Sequence, residues 1–132
     1  MPSKLVNATD LKQGSSAIIE GAPCTIKSVD ISKTGKHGAS KCRFEAIGII
    51  DGKKRVTIAP GHERFGVPII EKKKGQILTV NKEAKTTSLM DLETFETIEM
   101  KVDEDVINDL SENAQVEYWD VEGEKIVKRK TG

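Results

Sequence analysis

Short segments in which apolar and polar residues alternate cover much of the first half of the chain and predict β-strands. Residues 17–32 contain two such segments, separated by a Gly-Ala-Pro turn at 21–23. Residues 43–59 predict a hairpin centred on the Asp-Gly pair at 51–52, which a two-residue type I′ turn favours. The alternation in its second strand predicts a buried face that contains Val56 and Ile58.

The second half of the chain repeats this β pattern with one interruption. Strands are predicted at 75–81, 86–93 and 97–102, and a closing hairpin at 115–130 turns about Glu122-Gly123. Residues 103–114 predict one short helix, with acidic residues at its start and apolar residues on one face. Five strands with a helix between the third and fourth are compatible with an OB-type barrel.

The segment 64–75 interrupts the strand pattern between the two halves. Pro68 cannot donate to a central strand ladder, and the three consecutive lysines at 72–74 before Gly75 are typical of a solvated connector. We therefore predict an all-β protein of two domains, residues 1–70 and residues 71–132. A chain of 132 residues allows two small domains, each near the lower limit for independent folding.

The net charge of zero conceals a division between the halves. Residues 1–70 carry eleven basic and six acidic side chains, whereas residues 71–132 carry ten and fifteen. The first half is therefore the better candidate for contact with a polyanion. Apolar runs too short to span a membrane and the lack of a signal peptide at the N-terminus predict a cytoplasmic protein. Two cysteines, Cys24 and Cys42, are too few for a zinc site, so we expect no metal and free thiols, with a disulfide between neighbouring strands as the alternative.

The stretch SKTGKHGAS at 32–40 joins the second and third predicted strands and places Lys36 between Gly35 and Gly38. The two glycines permit left-handed backbone conformations and keep the loop narrow. Basic residues surround Lys36 without an acidic neighbour, and like charges so close together favour a polyanionic partner. These flanking cations are Lys33, Lys41 and Arg43. A flexible basic loop without a ligand is the competing interpretation of the same residues.

The residue types present argue against a nucleotide-binding P-loop and against catalysis by histidine. A nucleotide-binding P-loop needs glycine five positions before Gly35 and Ser or Thr after the lysine, but the chain has Asp30 and His37 there. His37 and His62 have no recognisable nucleophile or orienting carboxylate in the sequence. We therefore predict that the chain is not an enzyme and uses no dissociable cofactor.

The loop closely resembles the modification loop of the translation initiation factor 5A family, and the resemblance extends along the whole chain. The sequence KTGKHG at 33–38, VPII at 67–70 and MDLETFET at 90–97 each lie where this family has them. Elongation factor P is the bacterial relative of the family. Ala39-Ser40 replaces a segment in which many eukaryotic members have a second histidine, so the chain resembles archaeal members.

The resemblance implies an N-terminal SH3-like barrel, a C-terminal OB-fold and a covalently modified lysine at position 36. Deoxyhypusine synthase would transfer an aminobutyl group from spermidine to Lys36, giving deoxyhypusine or, after hydroxylation, hypusine. The modified side chain would reach the acceptor end of the peptidyl-tRNA on the ribosome and promote peptide-bond formation. The implied ribosome- and RNA-binding loop residues are Lys33, Thr34, Gly35, His37, Gly38, Lys41 and Arg43.

Two other functions remain as alternatives. A general single-stranded RNA-binding protein would use a basic groove and stacking aromatic residues on the OB-fold. The second half is acidic, and we expect its aromatic residues to belong to a small core; they are Phe95, Tyr118 and Trp119. A scaffold protein without a nucleic-acid partner is consistent with the composition but does not account for the loop.

Overall fold

A computed structural model of the protein describes residues 4–34 and 39–132. The chain divides into two compact units, residues 1–69 and residues 70–132. Both are built almost entirely of strands, which confirms the all-β prediction. In chain order the strands of the first unit are β1 (Lys4–Asn7), β2 (Ser16–Ile19), β3 (Ala22–Thr34), β4 (Ala39–Gly48), β5 (Lys54–Pro60) and β6 (Arg64–Val67). A 3₁₀ turn at Ala8–Asp10 follows β1.

The first unit combines a four-stranded antiparallel sheet, in the order β2-β3-β4-β5, with a two-stranded sheet of β1 and β6. Its core contains Phe44, whose ring packs against the Phe65 ring in a T-shaped arrangement with centroids 5.8 Å apart. Neither β1 nor β6 was predicted. Both are four-residue strands, too short for an alternating pattern to be distinguished from loop sequence.

The predicted buried face of β5 is wrong. Val56 is 44% exposed and Ile58 is 65% exposed. In the antiparallel register these residues lie opposite Glu45 and Arg43, on the outer face of the sheet. Alternation shows that two faces differ, but it does not show which one is buried, and here the inner face carries Ala59.

The predicted two-residue type I′ turn at 51–52 is also wrong, because five residues separate β4 from β5. Only Gly52 of this pair has a positive φ, +68°, whereas a type I′ turn requires two such residues. Asp51 is instead held by Arg55, whose Nη1 and Nη2 lie 3.1 and 2.8 Å from the two carboxylate oxygens. This hydrogen bonding lowers the pKa of Asp51 to about 2.

Gly48, at the end of β4, leaves the space that the Asp51 carboxylate occupies. A Cβ at position 48 would lie 1.9 Å from Asp51 Oδ1 and 2.9 Å from Arg55 Nη1. We expect Gly48→Ala to lower the free energy of unfolding by about 1–3 kcal/mol, because the carboxylate has to leave its place. In an Asp51→Ala background the same substitution should cost little, and urea unfolding of the four variants measures the difference. An equal cost in both backgrounds would contradict this explanation.

The second unit is a closed five-stranded barrel in the order β10-β11-β9-β8-β7. Its strands are β7 (Ile70–Asn81), β8 (Thr86–Asp91), β9 (Thr97–Val102), β10 (Gln115–Val121) and β11 (Glu124–Lys130). The closing hairpin turns at Glu122 and Gly123, both with positive φ, as predicted. The lysines at 72–74 are not a connector. They lie within β7, in register with residues 117–119 of β10, and the loss of alternation there had concealed the strand.

The predicted helix lies in the expected place, between the third and fourth strands of the barrel, but it is only a 3₁₀ turn at Ile107–Asp109. The backbone N–H of Asp105 donates to the Asp103 carboxylate at 2.9 Å. Local bonds of this kind stabilise turns in preference to α-helix. The apolar residues Ile107 and Leu110 are nevertheless buried in the barrel core.

Candidate functional site

The most extended feature of the first unit is the β3–β4 hairpin. The two strands pair continuously except at one register shift, from Cys24 opposite Gly48 to Thr34 opposite Ala39. β2 accompanies β3 only as far as Thr25. At about 3.4 Å per residue, β3 therefore runs roughly 30 Å beyond that point with β4 as its only neighbour in the sheet.

Four of the predicted site residues connect the ends of this hairpin and lie outside the described residues. They are Gly35, Lys36, His37 and Gly38. Lys33 and Thr34 end β3, in register with Ser40 and Ala39. The connection lies between the third and fourth strands rather than the second and third, because β1 was not predicted.

Lys41 and Arg43 lie on the outer face of β4. Both were expected to have no acidic neighbour, and this holds only for Lys41 among the described residues. Lys41 is exposed and, within residues 4–34 and 39–132, forms no ion pair. Arg43 Nη1 lies 3.3 Å from Glu45 Oε2 and 3.8 Å from Asp30 Oδ2. The expectation of basic residues without a neighbouring acid is therefore wrong for Arg43, since strand pairing brings Asp30 opposite it.

Glu45 lies at the centre of a cluster of charged residues on the outer face of the sheet, together with Arg43 and Lys54. Lys54 Nζ lies 3.0 Å from Glu45 Oε1, and the Ser28 hydroxyl donates to Oε2 at 3.0 Å. Hydrogen bonds from Lys54, Ser28 and Arg43 lower the pKa of Glu45 to about 2, so the carboxylate is ionised at neutral pH. The positive charges of Arg43 and Lys54 are thus balanced by acids, whereas that of Lys41, farther along β4 toward the connection, is not balanced by a described acidic residue.

A close backbone contact that the sequence analysis did not identify supports the hairpin. The Gly61 N–H donates to the Ser40 carbonyl at 2.9 Å, and the Thr9 N–H donates to the Gly61 carbonyl. A Cβ at position 61 would lie 2.9 Å from Thr9 Cγ2 and 3.0 Å from Ser40 Cβ. The Pro60-Gly61 pair signalled a turn but gave no indication of what it would contact.

Within residues 4–34 and 39–132, the other chemically reactive side chains form no metal site. Cys24 and Cys42 are free and buried, and burial raises the pKa of both thiols. His62 is exposed beyond the end of β5. Among the described residues, no group of His, Cys, Asp and Glu side chains is placed to hold a metal ion. None of the helical segments described is long and apolar enough to cross a membrane.

The second unit has an open groove of about 760 Å³ across β7, β8 and β9. Its charged residues are of both signs, namely Lys82, Glu83, Glu99 and Lys101. The lining, which is drawn from the described part of the chain, contains no aromatic side chain. A basic groove with aromatic stacking platforms, as single-stranded RNA binders use, is therefore not formed here.

The three aromatic residues of the second unit lie in three different environments. Tyr118 is fully buried, as predicted, whereas Phe95 is 70% exposed and does not belong to the core. Trp119 is half-buried on the outer surface, where Lys72 Nζ and Lys128 Nζ lie 4.8 and 5.4 Å from its ring centroid. Its indole N–H donates to Glu117 at 3.0 Å.

The chain is thus a protein of two consecutive β units, the first of which carries a hairpin joined by the sequence Gly-Lys-His-Gly at 35–38. Residues 3–63 match the family model described as translation initiation factor 5A-like, N-terminal. Translation initiation factor 5A of Thermococcus kodakarensis is 44% identical over 131 residues, covering 96% of this chain and 95% of that protein. The Methanosphaera stadtmanae protein of the same name is 41% identical and covers 100% and 99%.

A solved structure gives the same result. Translation initiation factor 5A from Methanococcus jannaschii matches with a TM-score of 0.85 and 38% identity, covering 97% of this chain and 94% of that one. The chain therefore belongs to the translation initiation factor 5A family, and its role lies in protein biosynthesis. The predicted fold class, an SH3-like barrel followed by an OB-fold barrel, is confirmed.

Proposed function

We propose that the protein binds the ribosome and promotes peptide-bond formation through a modified Lys36 that reaches the acceptor end of the peptidyl-tRNA. The observation that carries this proposal is that the β3–β4 hairpin continues beyond both neighbouring strands: β2 pairs with β3 only as far as Thr25, and β5 pairs with β4 only as far as Lys41. The end of the hairpin is therefore two strands wide, and so narrow an end can enter an RNA cavity that is closed to a whole barrel. Lys41, exposed on the side of the hairpin, is suited to a phosphate contact.

The modification we propose is deoxyhypusine, formed when deoxyhypusine synthase transfers the aminobutyl group of spermidine to the Lys36 amine and releases 1,3-diaminopropane. A separate hydroxylation would convert it to hypusine. Lysine provides a flexible stem with a compact terminal cation. Four additional carbons and an amine lengthen it by roughly 6 Å and add a second protonatable nitrogen. Such a side chain can contact phosphates and 2′-hydroxyls deep in folded RNA. Its contribution to the rate is to orient the tRNA end, so the chain needs no catalytic acid or base of its own.

The remaining loop residues are proposed to assist this contact. Gly35 and Gly38 have no side chain that would obstruct the modifying enzyme or the ribosome in reaching Lys36. Lys33, Thr34 and His37 are proposed to make flanking contacts with RNA. Arg43 is less available for this role, because Asp30 and Glu45 already balance its charge. We place this activity in the cytoplasm, where ribosomes and spermidine are both present.

The alternative, a general single-stranded RNA-binding protein, is less well supported. The groove of the second unit has mixed charge, and its lining residues include no aromatic one among those described. The two functions differ in their dependence on the hairpin. Binding to a single-stranded RNA oligonucleotide that survives deletion of residues 33–40 would favour the alternative, whereas loss of ribosome binding on the same deletion would favour our proposal.

Intact-mass measurement tests the proposed modification directly. The chain incubated with deoxyhypusine synthase and spermidine should gain the mass of one aminobutyl group, and peptide mapping should locate it at Lys36. Lys41→Arg, which removes a nearby exposed lysine, should gain the same mass and serves as the control. Failure of the unaltered chain to gain mass, or modification at another lysine, would contradict the proposal.

A further inference from the structure

The connection between β8 and β9, residues 92–96, is anchored firmly to the barrel core. The buried Asp91 carboxylate accepts hydrogen bonds from the backbone N–H groups of Glu93, at 2.7 Å, and Thr94, at 3.0 Å. The buried Tyr118 hydroxyl donates to the other carboxylate oxygen. The turn is therefore held in one conformation, independently of what its exposed side chains contact.

Phe95 is the most exposed large apolar residue in the described part of the chain, at 70%. Its φ of +63° lies in the left-handed region, which glycine adopts readily and a bulky residue rarely does. Its N–H is bonded to the Asp91 carbonyl at 2.8 Å, which fixes that conformation. Both the exposure and the backbone conformation are unfavourable for a phenylalanine in the isolated protein. A benefit to folding therefore does not account for the residue.

The charge of the turn indicates what kind of partner Phe95 contacts. The charged residues of segment 91–96 are Asp91, Glu93 and Glu96, all acidic, and the two glutamates are exposed. Lys73 and Lys74 of the adjacent strand β7 lie beside the start of the segment, at Asp91 and Leu92. The charged residues next to Phe95 in the turn are Glu93 and Glu96, and a nucleic-acid surface would repel carboxylates placed on either side of a stacking aromatic ring. An apolar pocket with lysine or arginine at its rim matches both the ring and its flanking charges.

We propose that Phe95 is the anchor of a protein-binding surface, and that its partner is a basic ribosomal protein with an apolar pocket. The ribosomal location rests on the function proposed above. The surface would hold the second unit on the ribosome while the hairpin of the first unit contacts RNA.

Site-specific photo-cross-linking identifies the partner. The full chain with p-benzoylphenylalanine at position 95 is irradiated with purified archaeal ribosomes, and a chain carrying the same group at position 78, a 39% exposed leucine in the same unit, is the control. We expect a cross-link from position 95 to one ribosomal protein, in a peptide with lysine or arginine nearby. A cross-link to ribosomal RNA, or to nothing, would overturn the proposal.

Substitution separates binding from folding. Phe95→Gly removes the ring and suits the left-handed backbone, so its melting temperature should not fall, while ribosome affinity should weaken about 10-fold or more. Phe95→Tyr should retain affinity, and Leu78→Ala should not change it. Unchanged affinity for Phe95→Gly would contradict the role proposed for Phe95 but not the proposed function of the protein. Absence of ribosome binding by the unaltered chain contradicts the proposed function and the ribosomal partner together.

Discussion

Lys36→Arg is expected to leave the fold intact and to abolish stimulation of peptide-bond formation, a loss on the order of 10-fold or more on a substrate that depends on the factor. Arginine retains the positive charge, but its planar guanidinium cannot accept the aminobutyl group and ends several ångströms short of the modified lysine. The measurement is the rate of peptide-bond formation on ribosomes stalled at a proline run. Both proteins are first treated with deoxyhypusine synthase and spermidine.

Two comparisons make this result specific to the modification. Unmodified wild-type chain should behave like Lys36→Arg, because both lack the extended side chain. Lys41→Arg, which keeps a positive charge at an exposed position of the hairpin, should still stimulate peptide-bond formation. Full activity of Lys36→Arg would show that charge at the tip is sufficient and would contradict the mechanism. Loss of ribosome binding by Lys36→Arg would instead assign the residue to affinity.

The residue pattern predicted β structure in both halves of the chain because β structure depends on local features, whereas the two named barrels followed from the family resemblance. Hairpin turns such as Glu122-Gly123, short alternating strands and the scarcity of helical periodicity each identify β structure without knowledge of tertiary contacts. Local features alone do not determine which face of a strand is buried. Val56 and Ile58 have the alternation of a buried face, yet strand pairing sets them beside the charged residues of β4 on the outside.

The candidate site divides in the same way. Lys36 stands out in the sequence because a basic glycine-flanked loop and a family resemblance coincide there. The neutralisation of the Arg43 charge by acidic neighbours could not be predicted, because the β3–β4 register decides that Asp30 lies opposite Arg43. Phe95 was assigned to a core because apolar character predicts burial on average. Its exposure follows from the backbone of a tight turn, which no composition argument describes.

Asp91→Ala is expected to be the most destabilising single substitution considered, lowering the free energy of unfolding by roughly 3 kcal/mol or more. The carboxylate accepts from the Glu93 and Thr94 N–H groups and from the Tyr118 hydroxyl, and removing it leaves three donors at a largely buried position without their acceptor. Trp119, the single tryptophan of the chain, adjoins Tyr118 in β10 and reports unfolding of this unit by fluorescence. Glu93→Ala, on the exposed side of the same turn, should change stability by about 0.5 kcal/mol or less.

The pH dependence of the Asp91 contribution follows from the direction of its pKa shift. The hydrogen bond from Tyr118, with further bonds from Thr94 and Glu93, lowers the pKa of Asp91 in the folded protein below the value of about 3.9 expected when unfolded. A lowered folded-state pKa gives stability that is fully present above the unfolded pKa and is lost as pH falls through the folded pKa. The stability difference between wild type and Asp91→Asn should thus be constant from pH 6 to pH 8 and should shrink below about pH 4. A difference that stayed constant down to pH 2 would show that the ionised carboxylate is not what holds the turn.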